Sequence, residues 1–67
     1  MSAQQFLISR LDRHQLTQGQ LAKATGVKQQ IISRIVIGQT KAHSRDTAVA
    51  LAEFFKCSPD ATYGEKL

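Results

Sequence analysis

Leu16-Thr17-Gln18-Gly19-Gln20-Leu21-Ala22-Lys23-Ala24-Thr25-Gly26-Val27-Lys28-Gln29-Gln30-Ile31-Ile32-Ser33-Arg34-Ile35 reads as two short helices meeting at one glycine. Thr17 supplies a hydroxyl cap, and Leu21, Ala22 and Thr25 recur at the spacing of one inward helix face. Gly26 ends that helix, because glycine enters the left-handed conformation without a side-chain penalty. Val27 then turns inward and the second helix begins. With successive residues about 100° apart, Gln29, Ser33, Gln30 and Arg34 of that helix share one side. Ile31, Ile32, Ile35 and Val36 share the other, and Ile37 alone strays onto the polar side in the last turn. One face of this helix is made to be buried and the other to form hydrogen bonds.

Working outward, Ser2 followed by Gln5 has the spacing of a capping box and predicts a first helix over about Ala3 to His14, with Phe6, Leu7 and Leu11 on one stripe. The central helices are expected at about Gln18 to Thr25 and about Lys28 to Ile37, the latter ended by Gly38. A polar connection follows. Ser44 or Asp46 caps a fourth helix of about Arg45 to Lys56, whose inward stripe is Ala48, Leu51, Ala52 and Phe55. Ser58-Pro59-Asp60 starts a fifth, which Gly64 limits to a stub. No stretch alternates as a strand would, and no repeat or linker divides the chain. The expected fold is all-α, a bundle of about five short helices in a single domain spanning residues 1–67.

Composition narrows the function. The 67 residues are 42% apolar, enough for one small core. Cys57 has no cysteine partner, which fits a reducing compartment. No apolar run approaches membrane-spanning length, and the start of the chain lacks a signal-peptide layout, so a cytoplasmic protein is expected. The net charge of +4 is unevenly spread: residues 10–45 carry seven cations against Asp12 alone, whereas residues 46–67 carry two against four carboxylates. Such a division suits a binder of polyanions with a neutral far side, although a solvated basic surface would look similar.

Catalysis finds little support. His14 and His43 have no cysteine or carboxylate at metal-ligand spacing. Cys57 sits where a small apolar residue closes a core, and Ser44 and Ser58 sit where caps belong. A glycine-rich phosphate loop is missing. The expectations are therefore no enzyme, no metal, no cofactor and no small-molecule ligand. Glutamine pairs in bidentate fashion with adenine, and arginine with guanine, across the major groove of DNA. The helix start at Thr17-Gln18 offers free N–H groups and a positive dipole end to a phosphate. Double-stranded DNA is the partner these side chains suit.

The chain resembles the Cro/CI-type phage repressors, the lambda-repressor-like helix-turn-helix domains, over roughly residues 3–64. The likeness rests on Leu16-Thr17-Gln18, Leu21-Ala22, Gly26-Val27, Gln29-Gln30, Ile32, Arg34-Ile35, Gly38, Thr40-Lys41 and Leu51-Ala52. The resemblance implies base reading by Gln29, Gln30, Ser33 and Arg34. It implies backbone contacts from Gln18 and from Gln39, Thr40 and Lys41. Thr17, Lys28 and His43 join that set by position. It further implies a two-fold dimer on a palindromic operator, here weak in free solution and tightened on DNA, acting as a transcriptional regulator of phage or prophage type. An antitoxin or restriction-modification controller would use the same domain, and a protein–protein docking module would use Ile31, Ile37 and Phe54 instead.

Three departures from the family pattern are legible. Lys28 stands where a capping Ser or Thr is frequent. Leu11 and Val36 occupy places where relatives carry an ion pair, an exchange that avoids desolvating charge. The last helix, Asp60-Ala61-Thr62-Tyr63, lacks the bulky apolar residues that relatives use there.

Overall fold

Four α-helices and a closing 3₁₀ helix follow the chain in order: α1 Ala3–His14, α2 Gln18–Thr25, α3 Gln29–Val36, α4 Arg45–Phe55 and the 3₁₀ helix Pro59–Tyr63. The structure, a computed structural model, describes residues 2–40 and 43–64. Among these there is no strand, and the all-α expectation holds. The third helix is shorter at each end than its pattern suggested, because Lys28 and Ile37 serve as its caps. The final stub, which starts on Pro59, winds as 3₁₀ rather than α, a form confined to short pieces of chain.

Caps set most of the boundaries. The Ser2, Ser44 and Ser58 hydroxyls accept from the N–H groups of Gln5, Thr47 and Ala61, so Ser44 rather than Asp46 opens α4. At the other ends, α1 and α4 stop at left-handed residues that are not glycine, Gln15 (φ 54°) and Lys56 (φ 57°). Each turn brings the next apolar residue back: Leu16 N–H donates to the Leu11 carbonyl at 2.9 Å and Cys57 N–H to that of Ala52 at 3.0 Å. Leu16 and Cys57 thus pack on the core, and this inward pull holds two unfavourable backbone conformations in place.

Ala3, Phe6 and Leu7 of α1, Leu21 of α2, Val27 of the turn after it, Ile32 and Ile35 of α3, and Leu51 of α4 form the buried cluster. Leu11 and Val36 line it as half-buried apolar side chains. The link seen between α1 and the end of α3 is polar: Gln4 Nε2 donates to the Val36 carbonyl at 3.0 Å. Phe6 and Phe55 meet edge to face at 6.0 Å, joining α1 to α4. His14 is exposed and leans its ring on Phe55 at 5.4 Å. Phe55 itself is only half-buried on the α4 stripe.

The left-handed positions give a direct test by thermal unfolding. Gly26 (φ 78°) has open space around a would-be Cβ, so Gly26→Ala should cost only the backbone penalty, about 1–2 kcal/mol. Gly38→Ala should cost more, since its Cβ would also lie 3.2 Å from the Gln4 amide. Gln15→Gly and Lys56→Gly should each stabilise, by up to ~1 kcal/mol.

Candidate nucleic-acid interface

Burial of Ile32 and Ile35, both at 0% exposure, fixes the rotation of α3. Its outward side then carries Gln29, Gln30 and Arg34, all exposed, with Ser33 half-buried between them. Ile37, at 58% exposure, ends the same side as the helical angles predicted. Lys28 caps the helix with no side-chain hydrogen bond, so the first turn keeps free N–H groups beside an exposed ammonium.

α2 opens on a complete capping box. Gln20 N–H donates to Thr17 Oγ1 at 3.1 Å, and Thr17 N–H donates to Gln20 Oε1 at 2.9 Å. The Thr17 hydroxyl is therefore engaged in the cap. Gln20 was legible from the Thr-x-x-Gln spacing, yet the sequence reading singled out Gln18. The box leaves the N–H groups of Gln18 and Gly19 without a partner inside the helix, at the positive end of its dipole. Gln29 lies against this same turn: a Cβ on Gly19 would sit 3.5 Å from Gln29 Oε1. Gly19 of α2 thus lies against the Gln29 amide.

The turn between α2 and α3 depends on a residue the sequence reading treated as plain filling. Thr25 Oγ1 donates to the Leu21 carbonyl at 2.8 Å and accepts from Val27 N–H at 3.2 Å. One hydroxyl ties the last turn of α2 to Val27, the buried residue of the turn. After α3, Gly38 N–H donates to the Ile35 carbonyl at 3.1 Å and Gln39 N–H to the Arg34 carbonyl at 2.9 Å. This paired pattern turns the chain at the end of α3, leaving Gln39 exposed and Thr40 half-buried in a shallow groove with Gln4, Gly38 and Tyr63. Lys41 lies outside the described residues.

His43 is a correction. A phosphate contact was expected, but the side chain is 6% exposed and turned inward. Its Nε2 is 2.8 Å from Thr62 Oγ1, and its ring stacks on Tyr63 with centroids 4.3 Å apart. Desolvation by this burial lowers its pKa below the ordinary histidine value of 6.5. The partners lie nineteen and twenty residues on, beyond the reach of any local pattern.

The exposed amides of Gln29 and Gln30, the Arg34 guanidinium, the Lys28 ammonium and the uncapped start of α3 thus share one exposed side, with the capped start of α2 lying against Gln29, all within the basic part of the sequence. Such a surface can hold phosphates and read base edges together. The model of the helix-turn-helix family matches residues 7–61, from α1 into the 3₁₀ helix. The chain belongs to the Cro/CI-type helix-turn-helix family. Membership in this helix-turn-helix family makes it a DNA-binding protein of transcription regulation, with α2 and α3 as the motif. Comparison with curated proteins and with solved structures gives no match. Among the described residues no helix is long and apolar enough to cross a membrane.

The motif turn can be tested without DNA. Thr25→Val keeps the shape but leaves the N–H of buried Val27 without its acceptor. Chemical denaturation should show a loss of about 1–3 kcal/mol. Thr25→Ser should retain most of the stability; equal losses for both variants would assign the effect to packing.

Proposed function

We propose that this protein is a Cro-like repressor of phage or prophage type that binds a palindromic operator sequence-specifically as a dimer. The observation that carries the proposal is the division of α3. Ile32 and Ile35 are fully buried, while Gln29, Gln30 and Arg34 project from the opposite side. Gln29 and Gln30 are the readers of adenine and Arg34 of guanine, with Ser33 adding a short contact. The Gln29 amide lies against Gly19 at the start of α2, a contact that favours one direction for it. Phosphates are held by the N-terminus of α2 at Thr17, Gln18 and Gly19, by Lys28, and by Gln39, Thr40 and Lys41 after α3.

Repression follows from occupancy, since a bound dimer covers promoter sequence. The reading includes no catalytic step, cofactor or small-molecule ligand. The dimer is weak in free solution. Ile8 and Ile37 are the large apolar side chains exposed among the described residues, far short of an interface of about 1,200 Å² or more. DNA supplies the missing alignment by presenting two half-sites about one helical turn apart.

Binding to operator and random duplexes across a salt series tests the assignment. Gln30→Ala and Arg34→Ala should each lose about 1–3 kcal/mol on the best operator and relax one base-pair preference per half-site. Random duplex should scarcely notice the loss of Gln30. Lys28→Ser should weaken all sequences alike and flatten the salt slope by about one unit per protomer. The same change gives α3 the cap it lacks, so the free protein should melt higher, by about 0.5–2 kcal/mol. Full sequence preference in both the Gln30 and Arg34 variants would remove α3 as the reader.

A further inference from the structure

We propose that the His43–Thr62–Tyr63 cluster is an acid-sensitive fastening: protonation of His43 releases the start of α4 from the 3₁₀ helix and lowers affinity for DNA. The link to DNA affinity rests on the function proposed above; the release itself does not.

The hydrogen bonds assign the proton on the ring. Thr62 Oγ1 donates its hydrogen to the Pro59 carbonyl at 2.7 Å, so toward His43 it can only accept. Nε2 must therefore carry the hydrogen, and the ring is neutral with its lone pair on Nδ1. Nδ1 is buried and has no hydrogen-bond partner among the described residues. A second proton would create a charged N–H at that buried atom, with no acceptor among the described residues to receive it. Thr62 is 1% exposed, so the Nε2 side offers no relief.

The surrounding charges do not reverse this. The 3₁₀ helix brings Asp60 and Tyr63, and the first turn of α4 brings Arg45 and Asp46. Arg45 and Asp60 pair with each other at 3.6 Å, both well exposed to solvent. The first turn of α1, near Tyr63 across a shallow groove, has no acidic residue. The π face of Tyr63 favours a cation, but desolvation prevails and displaces the ring's proton affinity downward. The histidine value is thus depressed on folding. Its contribution is fully present above the unfolded value of about 6.5 and is lost as pH falls below it.

The fastening lies where it matters for DNA. Tyr63 OH donates to the His43 carbonyl at 2.9 Å, so backbone and ring are both held at the far end of the connection from α3. At the near end, Gln39 and Thr40 are held by the Arg34 carbonyl. Opening the His43 cluster removes the anchor that follows the proposed phosphate-contacting residues Gln39, Thr40 and Lys41 in the chain.

NMR of the free protein between pH 7.5 and 5.5, with DNA binding followed over the same range, tests the proposal. The His43 ring should show the Nε2–H tautomer and titrate below 6.5. Amide protection at Ala61 and Gly64 should fall about tenfold, the factor set by one proton bound by the opened form alone. His43→Gln keeps an Nε2–H donor toward Thr62 and cannot titrate, so its protection and affinity should lose that pH dependence. Should this variant fold poorly, Tyr63→Phe on the neutral side should loosen the same amides at every pH. Operator affinity of the wild type should fall with the protection. A His43 ring titrating at or above 6.5, or amides indifferent to pH, would overturn the fastening. Amides that loosen while affinity holds would overturn the link to DNA. Absence of DNA binding at any pH would instead defeat the function proposed above and leave the acid-driven release standing.

Discussion

The burial of Ile32 and Ile35 is the constraint from which the rest of this small structure follows. Two fully buried isoleucines, each worth about 1.5–3 kcal/mol of removed apolar surface, hold an eight-residue helix too short to persist alone. Once they are seated, the helical step leaves α3 no freedom of rotation. Gln29, Gln30 and Arg34 must face outward because the isoleucines face inward. Direction, which a base-reading side chain needs more than reach, is thus inherited from the core. Gly26 and Thr25 set where the helix starts, and Gly38 with Gln4 sets where it stops.

Much of this was legible in the sequence because it is local. The helix-period pattern fixed α1 and α2 to the residue, and the serine and threonine caps were visible beside the runs they open. The outward position of Ile37 followed from angles alone. The left-handed ends at Gln15 and Lys56 were not legible, since neither residue signals that conformation; the pull comes from Leu16 and Cys57 returning to the core. The same holds for His43. Its sequence surroundings, basic and polar, pointed to phosphate, while the partners that bury it belong to the end of the chain. Local chemistry predicts what a segment can do, and distant packing decides which side chains remain free to do it.

Lys28 shows stability and binding drawing on one position. An oxygen-bearing residue there would satisfy a free N–H of α3, whereas lysine leaves that group open and adds a charge beside it. An uncapped helix start next to an ammonium is poor local structure and a good place for a phosphate. At the start of α2 the conflict is resolved differently. The box between Thr17 and Gln20 satisfies one donor in the first turn and the N–H of the cap itself, and leaves Gln18 and Gly19 free. The two helices therefore divide the work, α2 supplying a stable start and α3 an open one.

The closing segment carries a related compromise. Asp60-Ala61-Thr62-Tyr63 offers too little apolar surface to hold a 3₁₀ helix by burial alone, and Ala61 is its one aliphatic contact with the core. Hydrogen bonds among Pro59, Thr62, His43 and Tyr63 do the holding instead. Apolar packing would be indifferent to pH. A fastening built on a neutral buried imidazole cannot be, because it requires one particular tautomer and, among the described residues, has no acceptor for a second proton. Replacing bulk by a polar cluster therefore makes the end of the fold responsive to acid, as a consequence of how little hydrophobic surface so short a segment can bury.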